Sequence, residues 1–87
     1  MSASLKVIYF AWVRERIGVP DETVAPPPEV ATAGDLIHWL AGRGEGYAHA
    51  LQSPDSIRVA VDRMHVGHDE PIAGAREIAL FPPMTGG

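Results

Sequence analysis

Residues Leu5 to Trp12 leave neither side of an extended chain polar. Leu5, Val7, Tyr9 and Ala11 fall on one face, and Ile8, Phe10 and Trp12 on the other, with Lys6 near the start. A strand apolar on both faces belongs inside a sheet, covered on at least one side. The remaining elements have to supply its neighbours and its cover.

The pattern downstream does so. Val13 to Val19 reads as a polar turn ending at Gly18, and Pro20 introduces a short second strand over Asp21 to Ala25. Pro26-Pro27-Pro28 closes that strand, because proline gives no donor to a ladder. Thr32 is a helix N-cap, with Asp35 as a short form of the capping box. Ala33, Leu36, Ile37 and Leu40 then share one helical face. Gly42 and Gly44 stop the helix. Glu45 to Gln52 reads as a second short helical turn with Tyr47, Ala48 and Leu51 inward. Ile57 to Val61 is a third strand, Asp62-Arg63 a tight hairpin turn, and Met64 to Gly67 a short edge strand broken by Asp69, Glu70 and Pro71. Gly74 marks a turn, and Glu77 to Phe81 is the last strand. The order predicts a single α+β domain over residues 1–87, a mixed sheet of about five strands packed on one main helix.

Composition removes several function classes. The chain has no cysteine, which excludes disulfides, thiolate metal sites and cysteine nucleophiles. Its net charge is −4 and its seven lysines and arginines are scattered, so nucleic acid is not an expected partner. No apolar run approaches the length of a membrane span, and no signal-peptide pattern opens the chain. The expectation is a soluble, cytoplasmic domain.

Few side chains offer chemistry. His65 and His68, followed by Asp69 and Glu70, resemble a metal cluster only on paper. Strand alternation sends positions 65 and 68 to opposite faces, and no set of three or four ligands converges. His38 and His49 read as surface residues. Gly42, Gly44 and Gly46 form a G-x-G-x-G string, but after a helix, where a phosphate loop has no place. Arg14-Glu15-Arg16 is either a solvated turn or an exposed arginine beside an apolar patch, a frequent interface anchor. Phe81 precedes two prolines and is either a core plug or an interface anchor, since aromatics serve both.

The C-terminal residues carry the strongest functional signal. Phe81-Pro82-Pro83-Met84-Thr85-Gly86-Gly87 takes an apolar strand into a stiff proline pair and a bare diglycine. The prolines fix φ and extend the residues before them. Two residues without Cβ atoms can thread a channel too narrow for any side chain. The tail, 82–87, makes sense if the carboxylate of Gly87 is the working group; the alternative is a tail with no role.

Both ends then fit one family. Val7-Ile8-Tyr9-Phe10-Ala11-Trp12-Val13-Arg14-Glu15 resembles the opening of the molybdopterin synthase small subunits, which are sulfur carriers. Ile78-Ala79-Leu80-Phe81-Pro82-Pro83-Met84-Thr85-Gly86-Gly87 resembles their ending. The resemblance implies a ubiquitin-like β-grasp fold. It implies that Gly87 is adenylated by an ATP-dependent activating enzyme, an adenylyltransferase/sulfurtransferase, and converted to a thiocarboxylate. Sulfur then passes to a pterin precursor in the large subunit, towards molybdenum cofactor. Carried over by position, Met84, Thr85 and Gly86 form the tail, and Phe10, Arg14, Phe81, Pro82 and Pro83 lie on the partner-binding surface. No cofactor is expected on this chain; ATP belongs to the activating partner. Departures from the family pattern are Asp62-Arg63 where Asn is frequent, Gly74-Ala75-Arg76 where Asp-Gly-Asp is frequent, and His65 at an apolar position. Related readings are a carrier for thiamine or cysteine synthesis, a ubiquitin-like modifier joined to lysines, or a binding module with an idle tail.

Overall fold

The computed structural model describes residues 4–83. The opening strand, β1 (Leu5–Tyr9), lies inside a five-stranded sheet. It pairs antiparallel with β2 (Asp21–Val24) and parallel with β5 (Glu77–Phe81). On its other side β5 pairs antiparallel with β3 (Arg58–Val61), and β3 pairs with β4 (Met64–Val66). The order is β2-β1-β5-β3-β4, so the last strand of the chain fills the middle of the sheet. Helices α1 (Ala11–Ile17), α2 (Ala33–Ala41) and α3 (Glu45–Ala50) and a 3-10 turn at Pro54–Ser56 complete the fold. This is the expected α+β β-grasp arrangement.

Two expectations near the start need correction. The strand expected over Leu5 to Trp12 ends at Tyr9, and the polar turn expected over Val13 to Val19 is α1. Ala11 takes a left-handed backbone, φ 52°, which breaks the extension. Period two survived by coincidence through Trp12, whereas the packing follows a helix. Val13 is buried, with Trp12 and Ile17 packed against the core. Gly18 closes α1 at φ 99°, its N–H donating to the Arg14 carbonyl at 2.8 Å. The second strand also stops one residue early, at Val24.

The main helix starts as expected. The Asp35 N–H donates to Thr32 Oγ1 at 3.1 Å, and the N–H groups of Ala31 and Thr32 donate to Asp35 Oδ2, each at 3.1 Å. Those two backbone donors, Ala31 first, hold the Asp35 carboxyl below its ordinary range. Two further first-turn donors find carbonyls from the loop after β4: Ala33 on Glu70 at 2.9 Å and Gly34 on His68 at 2.8 Å. The helix end therefore leaves few orphan groups. In α3 the phase differs from expectation. Leu51 is buried and Tyr47 half-buried, but Ala48 is exposed and Ala50 takes the inward place. Gly46 sets this phase by bringing α3 onto α1. A Cβ there would sit 2.8 Å from the Arg16 carbonyl oxygen.

The Asp62-Arg63 hairpin is a two-residue turn with both φ values positive, 47° and 73°. Such turns follow the twist of the strands they join. Asp62 Oδ1 also accepts from the N–H groups of Arg76 and Glu77 at 2.9 and 3.0 Å, which ties the hairpin to the start of β5. These bonds, Glu77 first, hold the Asp62 carboxyl below its ordinary range. All three helices lie on one face of the sheet. Val7, Tyr9, Ile78, Leu80 and Val59 point into that face, against Leu36, Ile37 and Leu40 of α2, Val13 of α1 and Leu51. Each full burial of this kind is worth about 1.5–3 kcal/mol.

Candidate functional site

Among the described residues the opposite face carries no helix. Strand alternation and register set a row across it: Ile8 on β1, Ala79 on β5, Ala60 on β3 and His65 on β4. One step along the strands, Phe81 lies opposite Arg58. Phe10 closes the row at the end of β1, where its N–H donates to the Leu80 carbonyl at 3.1 Å.

Three rings meet there. Phe10 and Phe81 stand edge to face with centroids 6.5 Å apart, and His65 meets Phe81 the same way at 5.1 Å. Phe10 is 48% exposed, and Phe81 is half-buried and outside the core cluster. Of the two readings of Phe81, the core plug therefore fails. The short side chains of Ala79 and Ala60 leave the sheet flat between the rings. Arg14 is exposed on α1, one turn after Phe10, and its N–H donates to the Phe10 carbonyl at 3.3 Å. It borders a shallow hollow with Glu15, Gly18, Val19 and Pro20. Arg16 is differently engaged, its guanidinium 4.4 Å from the Trp12 ring centroid.

The sheet delivers the C-terminal segment to this patch. Phe81 ends the middle strand, and Pro82 and Pro83 follow, both half-buried. Pro83 borders a groove of about 360 Å³ with Asp55, Arg58 and His68 among its walls. Met84, Thr85, Gly86 and Gly87, the residues expected to carry the chemistry, lie outside the described residues. The structure thus brings Phe10, Arg14, Phe81, Pro82 and Pro83 to one end of the sheet.

Two participants escaped the sequence reading. His65 reads in the sequence only as part of an unconvincing metal cluster and as a histidine at an apolar position, yet its ring lies on Phe81. Arg58 belongs to no sequence motif, yet it is the cross-strand neighbour of Phe81. Counting back from the Asp62-Arg63 turn pairs Ala60 with His65, so this signal was present. His68 takes the other direction, with Nε2 2.7 Å from the Ile57 carbonyl. Among the described residues no group of three or more His, Asp or Glu side chains could hold a metal.

A polar cluster on the helical side is structural. The Tyr9 and Tyr47 hydroxyls both donate to Glu22 Oε2, at 2.6 and 2.7 Å, and Arg43 Nη2 lies 3.6 Å from Glu22 Oε1. Burial first, and the Glu22 carboxylate second, push both phenols above their ordinary range. Neither phenol serves as an acid or base near neutral pH. The cluster ties β1, β2 and α3 together. No described helix is long and apolar enough to cross a membrane.

Comparison with known proteins agrees with this geometry. The pattern of the ThiS family matches residues 7–87. The molybdopterin synthase sulfur carrier subunit of Escherichia coli (strain K12) is 35% identical over 83 residues, covering 95% of this chain and 99% of that protein. The subunit of the same name from Haemophilus influenzae is also 35% identical, with the same coverage. The crystal structure of SAMP1 from Haloferax volcanii superposes with a TM-score of 0.71 at 30% identity, covering 98% of this chain and all of that one.

Proposed function

We propose that this chain, which belongs to the ThiS family, is the sulfur-carrier subunit of a molybdopterin synthase. The observation that carries the reading is the placement of β5. The middle strand of the sheet leads into Pro82-Pro83 beside the exposed Phe10 and the half-buried Phe81, and the sequence continues from there to Gly86-Gly87. The relatives named as molybdopterin synthase sulfur carrier subunits support it along nearly their whole length.

The chemistry falls on the Gly87 carboxylate. A carboxylate is a poor acyl donor because its leaving group would be oxide. A carboxylate oxygen attacks the α-phosphorus of ATP, pyrophosphate leaves, and the mixed anhydride with AMP results. A sulfur nucleophile then displaces AMP and gives the thiocarboxylate. The positive groups that stabilise these steps come from the activating enzyme, since Met84-Thr85-Gly86-Gly87 offers none. The chain is a substrate of that enzyme and a sulfur donor within the synthase. ATP is the activating partner's, the pterin precursor sits in the large subunit, and the cytoplasm is where both are met.

The body supplies the docking energy. Five residues from Pro83 to Gly87 reach at most about 16–18 Å, enough to enter a buried site while the sheet stays outside. Ordering each costs about 1–2 kcal/mol, and glycines have no side chain to offset that. Phe10, Arg14, Phe81, Pro82 and Pro83 are the residues we assign to this contact, with aromatic and arginine anchors doing most of it.

The test is made on the tail. Deleting Gly87, or adding one residue after it, abolishes thiocarboxylate formation and cofactor synthesis while the melting temperature stays unchanged. Intact mass after incubation with ATP, a sulfur source and the activating enzyme reads the first, and normal activity from either variant overturns the proposal. The likeness to SAMP1, a small archaeal modifier protein, favours a second reading in which the same carboxylate is joined to lysines. Diglycine remnants on lysines of cell proteins, lost with Gly87, are its signature.

A further inference from the structure

The border of the aromatic row is positively charged although the chain as a whole carries −4. Arg58 and His65 are both exposed on the open face and flank Phe81. His65 stands opposite Ala60, and Arg58 lies two residues before Ala60 on the same side of β3. Diagonal neighbours of this kind lie about 7–8 Å apart, with their Cβ atoms somewhat closer, a spacing that one carboxylate can bridge. Arg14, exposed on α1 one turn after Phe10, adds a further cation at this end of the sheet.

Two of the acids nearby are engaged elsewhere. From β5, Glu77 faces the same side, but its Oε1 accepts from Arg63 Nε at 3.1 Å. From the hairpin, Asp62 accepts two backbone N–H groups. From β1, Lys6 stands at the far end of the face, opposite Glu77. Asp55 shares the groove walls with Arg58 and His68. Among the described residues neither Arg58 nor His65 has a carboxylate within salt-bridge distance.

We propose that Arg58 and His65 form a rim beside Phe81 that receives a carboxylate of the docking partner, so that docking strengthens as pH falls. The inference rests on the docking role given to this face above. It specifies the partner's surface as apolar at its centre and acidic at the β3–β4 margin. The sign of the pH response discriminates. Imidazole gains its charge as pH falls from 8 to 5, while a carboxylate keeps its own. A purely apolar partner surface would desolvate the imidazolium and bind more weakly in acid. A carboxylate across from it reverses the sign.

The experiment is a calorimetric titration of the full chain against the large synthase subunit at pH 8 and pH 6, with melts confirming that every variant is folded. The expected result is binding about three- to tenfold tighter at pH 6. His65→Gln removes that difference. Arg58→Gln weakens binding at both pH values and flattens its salt dependence. Binding equal or weaker at pH 6, or the same pH response in His65→Gln as in the native chain, overturns the rim but leaves the carrier reading intact. No binding at either pH overturns the docking role itself, and the rim with it.

Discussion

The two faces of the sheet are built from the same strands by alternate residues, yet they obey different rules. On the helical face Val7, Ile78, Leu80 and Val59 are sealed by α1, α2 and the residues after α3. On the open face Phe10, Phe81, His65 and Arg58 keep access to solvent, and only small residues lie between the rings. One face holds the fold, and the other is the face we assign to a partner. Every strand serves both, so a side chain's role follows from the parity of its position.

That division can be broken most forcefully from the covered side. Leu36→Ala empties space in the middle of α2 and lowers stability by about 2–5 kcal/mol, a large part of what a small domain has. Chemical denaturation reads the loss, and the fraction still folded binds the large subunit normally. Phe81→Ala tests the other side. Its loss appears in the binding titration, about 2 kcal/mol if Phe81 is a hot spot, and Arg14→Ala acts in the same direction. Stability falls by clearly less than the 3–5 kcal/mol of a core phenylalanine. The opposite pattern, a collapsed melt with unchanged binding, erases the distinction between the faces.

Smaller effects sharpen it. Glu22→Ala strips the acceptor from Tyr9 and Tyr47 at the margin of the covered face, and costs about 1–3 kcal/mol of stability without touching docking. The smallest effect is acid-linked. The Asp35 and Asp62 carboxyls are held below their ordinary value of 3.8 by backbone N–H bonds. Their contribution is complete above the unfolded value and is lost as pH falls through the lower folded one. A melt series from pH 5 to pH 2 shows this decline, and Asp35→Asn flattens part of it.

Much of the covered face was legible in the sequence, because burial leaves a periodic trace. The α2 stripe and its Thr32–Asp35 cap, the Asp62-Arg63 turn and the Glu77–Phe81 strand all appear where the pattern put them. The missed helix, α1, is short, and its first residues extend the period-two pattern of β1 by accident. Only the left-handed backbone at Ala11, which no residue type announces, separates the two. The open face was harder to read because its residues meet through register. Phe10, Phe81, His65 and Arg58 are distant in sequence and come together only once the order β1-β5-β3-β4 is known. Arg58 has no motif at all; its importance comes from standing opposite Phe81.

The placement of β5 also has a mechanical meaning. A pull applied at Pro83 runs along the axis of a strand bonded on both sides, parallel to β1 and antiparallel to β3. The two ladders are loaded in shear, so their hydrogen bonds share the force and must fail together. A partner that grips the chain beyond Pro83 can therefore hold it in tension against the whole sheet without peeling off one strand.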